Sequence, residues 1–175
     1  MAVREIITLE KPTLRQKARK VTTFGPALKV LADDMVETMR QAPGVGLAAP
    51  QVAVSQRLIV VEFAPGSEAL PEEEAEAAPK KLFRLVNPEI VRASEETATG
   101  VEGCLSIPGY AGEVERHAAV TVKAFNLQGK LMKIKAEGWL ARIFQHEIDH
   151  LDGVLFIDRA SKIWKTKEAP ETGDA

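Results

Sequence analysis

One cysteine in 175 residues cannot close an internal disulfide, so nothing in the chain asks for an oxidising compartment. Aromatic residues make up only 5% of the chain and histidine appears three times, so each ring is worth accounting for. Neither sign of charge is in excess, with 23 Lys and Arg against 25 Asp and Glu. A protein that reads nucleic acid usually carries a basic surplus to displace counterions, so no direct nucleic-acid readout is expected. The longest pure aliphatic run is Leu58 to Val61, far short of the roughly 20 residues that span a bilayer, so no membrane partner is expected. The first twenty residues are charged throughout and lack the apolar stretch of a secretory signal. The expected location is the cytoplasm, or an organelle after removal of a transit peptide. Internal repeats are also lacking.

What is present is an ordinary globular composition, 45% apolar and 27% charged. A chain of this length buries roughly 70% of its unfolded surface and needs no covalent staples. One domain over 1–168 with a polar tail over 169–175 is the expected organisation. Thr23-Phe24-Gly25-Pro26 reads as a cap with Pro in the first turn. Behind it Leu28, Leu31, Met35, Val36 and Met39 follow the i, i+3, i+4 rule, which predicts an N-terminal amphipathic helix over 26–41. Leu58 to Phe63 reads as a buried strand. Ala64 to Lys80 holds five Glu, five Ala and three Pro, and is expected to be an exposed, mobile acidic loop. Strands are expected at 82–86 and 89–93, and a hairpin turns through Asn126-Leu127-Gln128-Gly129. Helical period returns at Ala136 to Leu151, and a last helix is expected near 160–168. Short strands with a few helices and no βαβ alternation predict an α+β fold of small, mostly antiparallel sheets packed around a central helix.

That central helix carries His146-Glu147-Ile148-Asp149-His150, the H-E-x-x-H pattern. Two His four apart project from one helix face and can share a divalent metal, with the intervening Glu turned about 100° away. A catalytic metal needs a third protein ligand and an open position. The extension H-E-x-x-H-x-x-G-x-x-H is followed through Gly153, but Phe156 stands where its third His would be. Another extension takes a downstream Glu, for which Glu168 is the candidate, but its Lys-rich stretch argues against it. The remaining soft donor is Cys104, in Val101-Glu102-Gly103-Cys104-Leu105-Ser106. A lone Cys is often no more than a small buried hydrophobe, and joining it to a ligand-short H-E-x-x-H favours the metal. A four-ligand structural site using His117 as well, and a general peptidase, are the two rival readings.

Three separated segments then resemble, in order, the motifs of the peptide deformylase family. They are Gly44-Val45-Gly46-Leu47-Ala48-Ala49-Pro50-Gln51, Glu102-Gly103-Cys104-Leu105-Ser106 and Gln145-His146-Glu147-Ile148-Asp149-His150. The resemblance implies a metal-dependent hydrolase that removes the N-formyl group from the initiator methionine of new polypeptides and releases formate. It implies Cys104, His146 and His150 as ligands of one divalent ion, Fe²⁺ in the cell, although the donor types suit Zn²⁺, Ni²⁺ and Co²⁺ as well. It implies a metal-held water attacking the formyl carbon, with Glu147 as general base and acid. The side-chain amide of Gln51 and the backbone N–H of Leu105 are then the oxyanion donors. Gly44 and Gly46 leave backbone open for an extended peptide, and Val45, Trp139 and Ile143 are candidates for the methionine pocket, with Arg142 at its rim. Trp139 and Ile143 are equally readable as plain core. Glu102, Arg116 and Asp149 are expected to form a charged network behind the ligands. Formylmethionyl nascent peptides are the implied partners, with the ribosome surface beside them, and a monomer is the expected state.

Overall fold

The computed structural model describes residues 2–166, so Glu168 and the tail expected over 169–175 lie outside the described residues. A 3₁₀ turn at Pro12–Arg15 precedes helix α1, Pro26–Gln41, whose N-cap is Gly25 with Pro26 in the first turn. Thr23 does not cap it. Strands β1 (Gly46–Ala48), β2 (Leu58–Phe63), β3 (Lys81–Ala93), β6 (Ala119–Phe125) and β7 (Leu131–Glu137) form one antiparallel sheet in the order β1-β2-β3-β6-β7. Strands β4 (Thr97–Cys104), β5 (Ile107–His117) and β8 (Lys162–Lys165) form a second, smaller one in the order β4-β5-β8. Helix α3, Gly138–Leu151, lies between them, and the short α2 (Glu72–Ala77) and α4 (Phe156–Arg159) complete the set.

The aliphatic run at 58–61 has a simple cause. Alternate side chains of a strand face opposite ways, and β2 is covered on both sides. Ile59 and Val61 pack with Phe83, Leu85 and Val122 against Leu140, Phe144 and Ile148 of α3. Leu58 and Val60 face Leu28, Leu31, Met35 and Met39 of α1 instead. Phe144 is fully buried and meets the Phe83 ring edge-on at 5.1 Å; burying a side chain of that size contributes about 1.5–3 kcal/mol. A third cluster, Ile107, Val114, Leu155 and Phe156, lies under the smaller sheet and includes Cys104 at its margin.

Three expectations are corrected. The strands expected at 82–86 and 89–93 are one strand, β3, interrupted by a bulge between Val86 and Glu89. Asn87 takes φ of 50° there, while its side-chain amide pairs with both the N–H and the carbonyl of Val21. The helix expected near 160–168 is instead strand β8 within the described residues, with Ile163 opposite Gly112 and Trp164 opposite Ala111. The smaller sheet offers β5 as a partner edge, which the local sequence does not advertise. The acidic segment 64–80 is largely exposed, yet it contains a 3₁₀ turn (Ser67–Ala69) and α2, and it touches the start of α3 through Glu68.

A candidate metal centre in an active-site cleft

Helix α3 begins at Gly138, whose φ of 61° belongs to the left-handed region that favours glycine. The Trp139 N–H just inside donates to the Glu68 carboxylate at 3.0 Å. The helix ends where Gly153 takes φ of 74°, and any side chain there would collide with the Arg15 carbonyl. Between these ends eleven of its residues are buried, His146, Glu147 and His150 among them. His146 and His150 stand one turn apart with ring centroids 5.1 Å from each other.

The end of β4 brings Cys104 to them. Sγ lies 3.3 Å from His150 Nε2, and the three donor atoms of Cys104, His146 and His150 all fall within 4.8 Å of one another. His117 is not part of this group: its exposed ring bonds through Nδ1 to the Ser94 carbonyl at 2.8 Å. The four-ligand reading therefore lacks its fourth donor. Phe156, standing where a third His would extend the motif, stacks on the His146 ring at 6.2 Å.

Behind the donors sits a buried charge cluster. Glu102 accepts from Arg116 through Nε (2.9 Å) and Nη2 (2.8 Å), from Arg142 Nη1 (2.6 Å) and from His146 Nδ1 (2.9 Å). Asp149 accepts from Arg116 Nη1 at 2.6 Å and from both ends of the Arg159 guanidinium. Burial alone raises the Glu102 pKa, but the hydrogen bonds from Arg116 and His146 outweigh it and hold the carboxyl far below its ordinary range. An ionised carboxylate only accepts, so the proton of His146 sits on Nδ1 and Nε2 faces the cleft.

The residues fit a metal ion. Burial depresses His146, yet hydrogen bonding to Cys104 and Glu102 and the charge of Glu147 raise it well above an ordinary imidazole. Surroundings that favour a proton there favour a cation in its place. Burial and the charges of His146 and Arg116 keep His150 neutral, as a ligand must be. Glu147 Oε1 is one of two buried side-chain polar atoms without a hydrogen-bond partner among the described residues, the other being His150 Nδ1. Burial pushes Glu147 up to about 7, against the opposing charges of His146 and Arg116.

The cleft in front is a cavity of about 310 Å³. Gly44, Val45, Gly46 and Gln51 line one wall, Glu102 to Leu105 another, and Trp139, Arg142, Ile143, His146 and Glu147 its base. Both flanking strands, β1 and β4, are sheet edges. Gly46 is required by space: a Cβ there would come 2.6 Å from Glu147 Oε2. Gln51 is buried in a 3₁₀ turn (Ala49–Val52), where its Oε1 accepts from Ala48 N–H. Its Nε2 then points to Ser106 Oγ (3.1 Å) and Cys104 Sγ (3.6 Å). Arg142 departs from expectation. It lines the cavity but is no rim residue, being 5% exposed and bonded to Glu102, Val114 O and Ala98 O. Sequence reasoning passed over Val101 on the cavity wall, Ser106, Arg159 and Glu68. Only the first two were within reach, as neighbours of the Cys motif.

Residues 3–166 match the sequence model of the polypeptide deformylase family. The chain belongs to the peptide deformylase family. A peptide deformylase of Desulforudis audaxviator is 49% identical over 96% of this chain and 100% of its own length. One from Symbiobacterium thermophilum is 50% identical over 98% of this chain and 73% of its own. Among solved structures, peptide deformylase from Thermotoga maritima superposes with a TM-score of 0.81 at 40% identity, covering 93% of this chain and 100% of that one. A class I type b peptide deformylase from Acinetobacter baumannii, solved with Met-Ala-Ser bound, gives 0.81 at 40% over 90% and 98%. Peptide deformylases are metal-dependent enzymes that remove N-formyl groups from nascent peptides. The likeness to solved relatives extends to the fold of small antiparallel sheets with a few helices.

Proposed function

We propose that this chain hydrolyses the N-formyl group of formylmethionyl peptides at the Cys104–His146–His150 centre. The observation that carries the reading is the convergence of these three donors beside a buried carboxylate, Glu147, one of whose oxygens has no partner. The three would hold one divalent ion, with Fe²⁺ the ion we propose for the cell. Such an ion supplies Lewis acidity and makes a water in its open position more acidic.

The chain's own groups do the rest. Glu147, poised near neutrality, takes a proton from the attacking water and later hands it to the departing amine nitrogen. The amide Nε2 of Gln51, aimed by the bond between its Oε1 and Ala48 N–H, donates to the formyl oxygen as negative charge grows. The backbone N–H of Leu105 is the second donor. The C–N bond breaks, releasing formate and a free N-terminus. The peptide extends between the β1 and β4 edges, where Gly44 and Gly46 keep the backbone open. Its methionine side chain occupies the apolar part of the cavity at Val45, Trp139 and Ile143, with Arg142 beneath. A relative's structure with Met-Ala-Ser bound supports a peptide that begins with methionine as the ligand. Glu102, Arg116 and Asp149 hold His146 in orientation. We further propose a monomer working in the bacterial cytoplasm on nascent chains at the ribosome surface. No helix among the described residues is long and apolar enough to cross a membrane.

The test is formate release from formyl-Met-Ala-Ser, with unformylated Met-Ala-Ser as control. Formate should appear in proportion to free amine, and the control should stay intact. Cleavage of the control's internal amides would favour a peptidase.

A further inference from the structure

We propose that Arg142 is a positioning residue that couples occupancy of the side-chain cavity to the carboxylate orienting His146. The inference rests on the deformylase reading and adds a second role to the cavity's base. Arg116 alone already engages both oxygens of Glu102. A second buried guanidinium is therefore surplus as a counter-charge, and taking it out of water is costly. Its geometry supplies the reason for its presence. Nη1 donates to Glu102 Oε2 at 2.6 Å and to the Val114 carbonyl at 2.9 Å, and Nη2 donates to the Ala98 carbonyl at 2.7 Å. One planar fork thus ties α3 to β4 and β5 at once. Strand β4 is the strand that carries both Glu102 and Cys104.

The other end of the connection is the cavity. Cζ of Arg142 lies 5.4 Å from the centroid of the Trp139 ring, which is half-buried at the cavity's base. Gly100 makes room for the fork, because a Cβ there would come 2.9 Å from Cζ. A side chain that fills the cavity bears on Trp139 and Arg142. Through Arg142 it bears on Glu102 Oε2, whose sister oxygen holds His146 Nδ1 at 2.9 Å. The link is reciprocal by linkage: whatever fixes His146 from the metal side is felt at Trp139.

The chain has two Trp, so in Trp164→Phe the only indole is Trp139. That full-length protein is stripped with a chelator and reloaded with Zn²⁺ while Trp139 emission and bound zinc are followed. The expected result is an emission shift that saturates with the first equivalent. In Arg142→Met at saturating Zn²⁺ the shift should shrink by about fivefold. An equal shift in Arg142→Met, or no shift in the parent, overturns the proposal. If Arg142→Met does not fold, Arg142→Lys and Gly100→Ala make the same comparison. Lys cannot serve one carboxylate and two carbonyls together, and the Gly100 methyl displaces the fork, so an undiminished shift in both also overturns it. A kinetic arm uses formyl-Met and formyl-Ala peptides. Arg142→Met should lower the kcat ratio between them by about fivefold while leaving the KM ratio within about twofold. Equal losses on both peptides would make Arg142 a structural support and sink the coupling. Failure of the unmodified enzyme to deformylate either peptide overturns the functional reading instead, and the zinc titration still judges the coupling.

Discussion

Glu147 and its neighbour across the cleft, Gly46, separate chemistry from metal holding more cleanly than any other pair of residues. Glu147→Ala should keep close to one metal per chain and lose on the order of 10²–10⁴ in turnover, because only the proton carrier is gone. Cys104→Ala, His146→Ala and His150→Ala should lose metal and activity together. Metal analysis beside formate release checks both sets, and a metal-free Glu147→Ala would make that carboxylate a ligand. Gly46→Ala offers a subtler variant. Its methyl would sit 2.6 Å from Glu147 Oε2, so the carboxylate must turn away. We expect an unchanged melting temperature, retained metal and at least about a tenfold loss of kcat. Normal turnover would mean that Glu147 has more freedom than its buried setting suggests. At this scale the sequence was informative where chemistry dictates residue type. The His pair, Glu147 and Cys104 announce themselves through spacing and scarcity. Arg142 does not, because nothing in a one-dimensional pattern reveals that Glu102, Ala98 and Val114 converge on one guanidinium from two other strands.

Among elements, α3 is held at its first turn by a residue 71 positions earlier than its partner there. Glu68 accepts from Trp139 N–H and places negative charge at the helix N-terminus, where the backbone dipole favours it. Loss of a capping contact typically costs about 1 kcal/mol, which lowers a melting temperature by about 2–4 °C in a chain of this size. Glu68→Ala should show that drop, and replacing 66–78 with a short Gly/Ser link should show little more, since α2 buries no residue. A fall of about 10 °C or more on replacement would mean that the segment packs as part of the core. Elements that bury one stripe, such as α1, or both faces, such as β2, were legible because burial writes a period into the sequence. Strand β8 was not: all four of its residues are exposed, and its identity comes from the edge of β5 beside it. The continuity of β3 through Asn87-Pro88 was hidden for a related reason, since the bulge is stabilised by Val21, far away in sequence.

For the molecule as a whole, stability should be steeply acid-sensitive. Asp34, Glu62, Glu102 and Asp158 all have carboxyl pKa values below their ordinary range. The causes are a backbone N–H of Ala2 for Asp34, Arg40 for Glu62, and Arg15 for Asp158; at Glu102 burial is outweighed by Arg116 and His146. A depressed carboxyl stabilises the fold fully above its unfolded-state value and ceases to do so as pH falls through its folded-state value. Between pH 7 and 5 the raised Glu147 and His146 and the lowered His150 also titrate, so the carboxylates are read below that window: urea midpoints of metal-stripped protein should fall from pH 5 to about pH 3.5 and below. Equal midpoints at pH 5 and 3.5 would mean that these pairs add nothing. The order of the strands has a further consequence, in time. Cys104 ends β4, but the sheet that seats it is closed only by β8, and its two histidine partners come from α3. At about 5–20 residues per second, synthesis of the 46 residues from Cys104 to His150 takes on the order of 2–9 s. Until then the chain's one thiol has left the ribosome's decoding centre ahead of its imidazole partners, so its exposure to oxidants is set by the speed of translation rather than by the finished fold.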